Sequence, residues 1–196
     1  MPSKPKNNRK DPVADRCGTP SYAVTPLLPY LPKDWVLWES ASGEGLLVDA
    51  LETNGYQVIS GDILTGQNYF AYEPENYDCQ VTNVPFSIKY DWLKRAYQLG
   101  KPFALLAPSD MLFAKTAITL FEQYGIEILI PRTRINFKMP NLGWSGRGAQ
   151  MSTSWFTYGL NIGRMITFVD LVKPKRSNGN SSVSEPQIIT QQLSMF

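Results

Sequence analysis

The tetrapeptide Asn83-Val84-Pro85-Phe86 concentrates more usable chemistry than any other four residues of the chain. Val84 precedes a proline, which favours an extended backbone and fixes the direction of its carbonyl. The Asn83 side-chain oxygen and that carbonyl can together accept from both hydrogens of one planar amino group. The Phe86 ring offers a face on which a base can stack. Upstream, Glu39-Ser-Ala41-Ser-Gly43-Glu-Gly45 follows a short apolar run and opens a helical one. Gly43 and Gly45 let the backbone turn tightly and approach a ligand beside a helix N-terminus. About 20 residues further on, Asp62 in Ser60-Gly61-Asp62 supplies a carboxylate suited to ribose hydroxyls. Each motif taken alone also suits an ordinary turn; their succession is what carries information.

Several chemistries are excluded. The 196 residues contain no histidine, which removes Ser-His-Asp and Cys-His nucleophile systems, HExxH zinc sites and imidazole proton shuttles. Cys17 and Cys79 form no CxxC pair, so neither a disulfide framework nor a zinc ribbon is expected, and a reducing, cytoplasmic setting is the default. Val48 occupies the third position of a G-x-G-x-x-G pattern, which disfavours a nicotinamide cofactor, and there is no P-loop. No run of 18 apolar residues occurs and the N-terminus lacks a secretory apolar region, so neither a membrane span nor an export signal is expected.

These loops need a scaffold, and the apolar pattern supplies one. Strand-like runs at 35–39, 56–60, 77–83, 102–108 and 126–130 alternate with helical patterns at 46–55, 88–100 and 111–125, the last with Ser109 as its cap. Two later strands are expected in STSWFTYGL and MITFVDLV. The alternation predicts an α/β domain with a mostly parallel sheet flanked by helices. Ligands of such sheets sit beyond the carboxyl ends of the strands, so loops 40–45, 61–70 and 84–87 should face one crevice.

Taken together, the motifs resemble class I S-adenosylmethionine-dependent methyltransferases, and among them the DNA adenine-N6 enzymes in their short phage-type form. The likeness covers roughly residues 18–170. Thr19-Pro20 match the family's element before the first strand. Glu39, Ala41, Gly43 and Gly45 match its acidic-x-Ala-x-Gly-x-Gly loop, and Asp62 its ribose contact. Asn68 and Tyr69 stand where the family has an Asp and an aromatic against the cofactor adenine. Asn83, Pro85 and Phe86 match the catalytic Asn-Pro-Pro-Phe/Tyr, with Val84 in place of the first proline. The resemblance implies a Rossmann-like class I methyltransferase fold and S-adenosylmethionine as cofactor. It implies a flipped-out adenine whose amine is held by Asn83 and the Val84 carbonyl, with Trp155 or Phe156 on the base's second face; strand alternation turns only one of these two inward. The same loop type also serves enzymes acting on RNA adenine or a protein glutamine amide. A non-catalytic cofactor-binding accessory protein is the rival from another class.

Charge points to a polyanion. Residues 1–16 carry five Lys/Arg against two Asp, and no Asp or Glu lies between Glu127 and Asp170. Within that window Arg132, Arg134, Lys138 and Arg147 could grip DNA phosphates and Trp144 could wedge into the stack. The expected organisation is a basic arm (1–16), a methyltransferase domain (17–172), a flexible linker (173–188) and a terminal peptide (189–196). That peptide ends Gln192-Leu193-Ser194-Met195-Phe196. It resembles the motif Gln-Leu-(Ser/Asp)-Leu-Phe by which bacterial proteins dock on the replication sliding clamp, implying that Gln192, Leu193, Met195 and Phe196 contact such a partner. A bacterial or phage-infected cell is the setting this implies.

Overall fold

A computed structural model describes residues 15, 17–138 and 152–173. Residues 1–14 and 16 of the expected arm, the expected linker beyond Lys173, the expected terminal peptide with Gln192, Leu193, Met195 and Phe196, and Trp144 and Arg147 lie outside the described residues.

The strands are β1 (Val36–Glu39), β2 (Gln57–Ser60), β3 (Cys79–Asn83), β4 (Phe103–Pro108), β5 (Glu127–Pro131), β6 (Thr153–Tyr158) and β7 (Ile166–Val169). They form one sheet in the order β2-β1-β3-β4-β6-β5-β7. The helices are α1 (Leu46–Thr53), α2 (Lys89–Leu99) and α3 (Lys115–Tyr124). Every strand pair is parallel except those made by β6, which runs antiparallel to both β4 and β5. The mostly parallel α/β reading is therefore correct. The reversal at β6 had no signature in the apolar pattern, because strand direction is set by the connection and not by the residues.

Both faces of the sheet are covered. On one, Leu37, Val81, Leu106, Leu129 and Trp155 pack against Leu47, Ala50 and Leu51 of α1 and against Ala23, Val24 and Leu27 near the N-terminus. On the other, Trp38, Phe103, Leu105, Ile128 and Phe156 pack against Trp92, Leu93 and Ala96 of α2 and Ala117 of α3. Strands buried on both sides read as continuous apolar runs, which is why FALLAP is buried at all six positions.

Two local departures matter. Segment 111–125 is not one helix capped by Ser109: a 3-10 turn (Ser109–Phe113) comes first and α3 begins at Lys115. The Ser109 hydroxyl instead pairs with Ser154 Oγ at 2.7 Å, tying the end of β4 to β6. Between β2 and β3, one short 3-10 turn (Ile63–Thr65) stands where a crossover helix would normally run. An aromatic cluster fills the space: Trp38 contacts Tyr69 and Tyr77 at 5.5 and 5.1 Å between ring centroids, and Tyr69 stacks on Trp92 at 4.0 Å.

Candidate active site

The strand order reverses beside β1: β2 lies on one side and β3 on the other. A crevice opens at the carboxyl ends of strands at such a point. The expected loops converge there. Ser42 N donates to the Gly61 carbonyl at 3.0 Å, Gly61 N to the Glu39 carbonyl at 2.8 Å, and Gly43 N to Asp62 Oδ2 at 2.9 Å. Asp62 Oδ1 accepts from Leu64 N at 2.8 Å. The glycine loop and the loop after β2 are thus one hydrogen-bonded unit, with Asp62 as its clasp. Gly45 has φ +82° as it caps α1, and nothing lies within 4 Å of where a side chain would stand. Ala41 is half-buried between Glu39 and this turn.

Glu39 ends β1 with its carboxyl buried. It accepts from Ala41 N at 2.9 Å and, by a short contact, from the Thr82 hydroxyl. Burial lifts its pKa to about 8; the bonds from Thr82 and Ala41 oppose the rise, and nearby Asp62 adds to it. Thr82 was not identifiable beforehand. A strand threonine one position before Asn83 carries no sign of a partner 43 residues away.

Asn83 closes β3. Its Nδ2 donates to the Cys17 carbonyl at 3.4 Å, while its Oδ1 is buried and has no hydrogen-bond partner among the described residues. An unpartnered buried oxygen costs about 1–3 kcal/mol, so it marks a position awaiting a donor. Val84 buries its side chain under the sheet, and its N–H donates to the Leu106 carbonyl at 3.2 Å. A proline could not make that bond. Val84 therefore stiffens the loop by extending the β3–β4 ladder, in place of a ring. Val84→Pro is expected to lower stability by about 1–3 kcal/mol in urea denaturation, through the lost bond to Leu106. Pro85 leads into a 3-10 turn (Phe86–Ile88), and the half-buried Phe86 ring meets Phe137 edge-on at 6.2 Å.

Thr19 and Pro20 are buried beside this loop. Their neighbour Gly18 pairs with Lys138 and lies so close to Leu46 of α1 that a Cβ would stand 2.6 Å from Leu46 Cδ1. The Asn68-Tyr69 pair divides its duties. Asn68 is exposed, its Oδ1 accepting from Phe70 N at 3.1 Å, whereas Tyr69 is a core ring whose hydroxyl donates to Gln80 Oε1. Phe70, its neighbour, is the partly exposed aromatic.

The substrate-side residues fare differently. Trp155 and Phe156 are both fully buried, on opposite faces of the sheet. Alternation does direct them apart, but a sheet covered on both sides encloses each, so neither presents a free ring to a base. Trp155 Nε1 donates to the Ala23 carbonyl at 2.8 Å, and Phe156 stacks with Phe121. Trp155→Phe is expected to cost about 1–2 kcal/mol of stability through that bond and to leave nucleic-acid affinity unchanged, as a gel-shift titration would show. The acid-free stretch is not acid-free in space. Lys138 pairs with Glu44 of the glycine loop at 2.6 Å, and Arg132 lies 3.8 Å from Asp170 and over the Phe168 ring. Arg134 is exposed. A cavity of about 240 Å³ at the carboxyl edge is lined by Pro108, Ser109, Asp110 and Ser152. The larger groove, about 430 Å³, involves Phe70 and the α2 residues Asp91, Lys94, Arg95 and Gln98, and none of the carboxyl-end motif residues.

The sequence matches no protein-family model and no curated protein at a significant level. Among solved structures, a Listeria monocytogenes protein assigned as a class I S-adenosylmethionine-dependent methyltransferase is similar, with a TM-score of 0.54 and 12% identity over 84% of this chain and 68% of that one. A modification subunit assigned to a type I restriction enzyme of Vibrio vulnificus scores 0.46, with 13% identity over 72% of this chain and 44% of that one. An Aquifex aeolicus tRNA (m1A58) methyltransferase scores 0.40, with 15% identity over 69% of this chain and 66% of that one. The chain spans less than half the length of the Vibrio protein and about two thirds of the Aquifex one. The likeness to the Listeria protein establishes the fold as Rossmann-like, of the class I methyltransferase type.

Proposed function

We propose that this methyltransferase fold transfers a methyl group from S-adenosylmethionine to the exocyclic N6 amine of a flipped-out adenine in DNA. The observation that carries the reading is Asn83 Oδ1, a buried acceptor without a partner among the described residues, at the carboxyl end of the strand beside the reversal point. The residues fit the cofactor. The glycine turn is open at Gly45, and two carboxyl groups, Glu39 and Asp62, stand at the ends of adjacent strands. Thr19, Pro20, Ala41, Gly43 and Asn68 are further positions that the resemblance assigns to the same group, whereas Tyr69, also so assigned, is enclosed in the core.

When bound, S-adenosylmethionine supplies a methyl group already activated as a sulfonium substituent. The chain's own residues handle the acceptor. An exocyclic amine is a poor nucleophile because its lone pair is conjugated into the ring. Asn83 Oδ1 and the Val84 carbonyl accept from its two hydrogens, draw the nitrogen toward tetrahedral geometry and stabilise the positive charge that develops as it attacks. Phe86 holds one face of the base, which has left the duplex stack.

Nucleic acid is favoured as substrate by where basic sequence joins the fold. The stretch with five Lys/Arg ends just before Cys17, and the described part of the second basic segment ends at Lys138. Gly18 and Lys138 are joined by two backbone hydrogen bonds, and Cys17 touches Asn83, so both stretches attach beside the proposed catalytic amide. Docking of the terminal Gln192-to-Phe196 peptide on a replication sliding clamp, and a cytoplasmic location, are proposals resting on sequence alone; among the described residues no helix is long and apolar enough to cross a membrane. The test is transfer of labelled methyl groups to unmethylated plasmid DNA and, in parallel, to RNA, followed by nucleoside mass spectrometry. N6-methyladenine in DNA is expected. The mark in RNA alone would reassign the substrate, and cofactor binding without any modified nucleoside would favour the accessory reading.

A further inference from the structure

We infer that Asp15, Cys17 and Gly18 form a strap that sets the orientation of the Asn83 amide, with Asp15 as its positioning residue; this rests on the catalytic reading of Asn83. An asparagine amide has two ends of nearly equal size and opposite hydrogen-bonding sense. Turned one way it accepts from a target amine. Turned the other way it sets donor against donor and repels it. Something must break that symmetry, and here it is the Cys17 carbonyl. A carbonyl only accepts, so it takes Nδ2 at 3.4 Å and leaves Oδ1 for the incoming amine.

The carbonyl is useful only if the strap is fixed, and hydrogen bonds at Asp15 and at Gly18, on either side of Cys17, fix it. Asp15 Oδ1 accepts from Ser87 N at 3.1 Å, joining the strap to the 3-10 turn that follows Val84 and Pro85. Gly18 exchanges two backbone hydrogen bonds with Lys138, at 2.8 and 2.9 Å. Gly18 also lies against Leu46 at the start of α1, where a Cβ would stand 2.6 Å from Cδ1. Lys138 reaches Glu44 of the glycine loop at 2.6 Å. The strap thereby couples the catalytic loop, the glycine loop and the root of the second basic segment. Asp15 is the one side chain in this set that binds the catalytic loop directly.

The test compares Asp15→Ala and Asp15→Asn in the full chain. The side-chain carbonyl oxygen of the Asp15→Asn variant can still accept from Ser87 N, so this variant should behave as the unaltered protein. Two readouts are needed: hydrogen exchange of the Ser87 amide by NMR, and kcat and KM for methyl transfer. Asp15→Ala is expected to speed Ser87 exchange and lower kcat on the order of tenfold, with KM for the methyl donor unchanged, and Asp15→Asn to restore both. Faster exchange with unchanged kcat would make the strap merely structural and overturn the proposal, as would Ser87 protection that does not depend on Asp15. Absence of transfer by the unaltered chain would overturn the catalytic reading and, with it, any catalytic role for the strap. The exchange result would then still decide whether Asp15 holds the loop.

Discussion

Asn83→Ala should lower methyl transfer by about 10²–10³-fold or more while leaving the protein as stable as before, within about 1 kcal/mol. The two halves of this expectation have different origins. The rate falls because the alanine variant retains only the Val84 carbonyl to accept from the amine, and the developing charge loses its nearest acceptor. Stability holds because the lost side chain contributes little net. Its Nδ2 makes one long bond of 3.4 Å to the Cys17 carbonyl, and its Oδ1 is buried without a partner among the described residues. Deleting an unsatisfied oxygen relieves a desolvation cost comparable to the bond forfeited. Single-turnover kinetics and a urea titration check the two quantities. A structural asparagine would show the reverse pattern: a large loss of stability and a rate that recovers once the folded fraction is accounted for.

The second large effect is a pH dependence of folding centred on Glu39. Burial raises the carboxyl to about 8 in the folded protein, against an ordinary value of 4.5. Folded molecules therefore hold a proton that unfolded ones release in the interval between. Its contribution is fully present below about pH 4.5 and is lost progressively up to about pH 8, by up to about 5 kcal/mol in total. Glu39→Gln keeps an oxygen to accept from Ala41 and Thr82 and removes the titration. The variant is expected to lie close to the unaltered protein near pH 5, to exceed it increasingly up to about pH 8 and to keep a constant margin above that. Urea midpoints measured across that range decide the matter. A constant difference between the two proteins would mean that Glu39 is ionised in the fold at every pH tested.

Much of the scaffold was legible because it rests on periodicity. Strands buried on both faces announce themselves as apolar runs, and Gly100, at φ +69°, ends α2 where the pattern stops. The three loops were legible because glycine, proline, asparagine and aspartate carry backbone meaning at strand ends. Long-range pairing has no such signature. Thr82 with Glu39, Lys138 with Glu44 and Trp155 with the Ala23 carbonyl join positions whose types say nothing about one another. The partners of the basic window are hidden for the same reason: Lys138 and Arg132 meet Glu44 and Asp170, which lie outside it. The strap was invisible for a further reason: it orients Asn83 through a main-chain carbonyl, and every residue has one.

The strand β6 has a consequence for how the chain is made. It follows β5 in sequence yet lies between β4 and β5 in the sheet, hydrogen-bonded to both. As the polypeptide leaves the ribosome, β1 to β4 can assemble first, but the outer edge of β4 stays open. Its six residues, all buried in the finished fold, are an adhesive template for as long as that lasts. The β5 strand, though synthesised, has no place to dock until Thr153–Tyr158 arrive and join the two halves. Closure of the sheet is thus deferred until Thr153–Tyr158 have been made, an interval in which a nascent chain needs shielding from its neighbours.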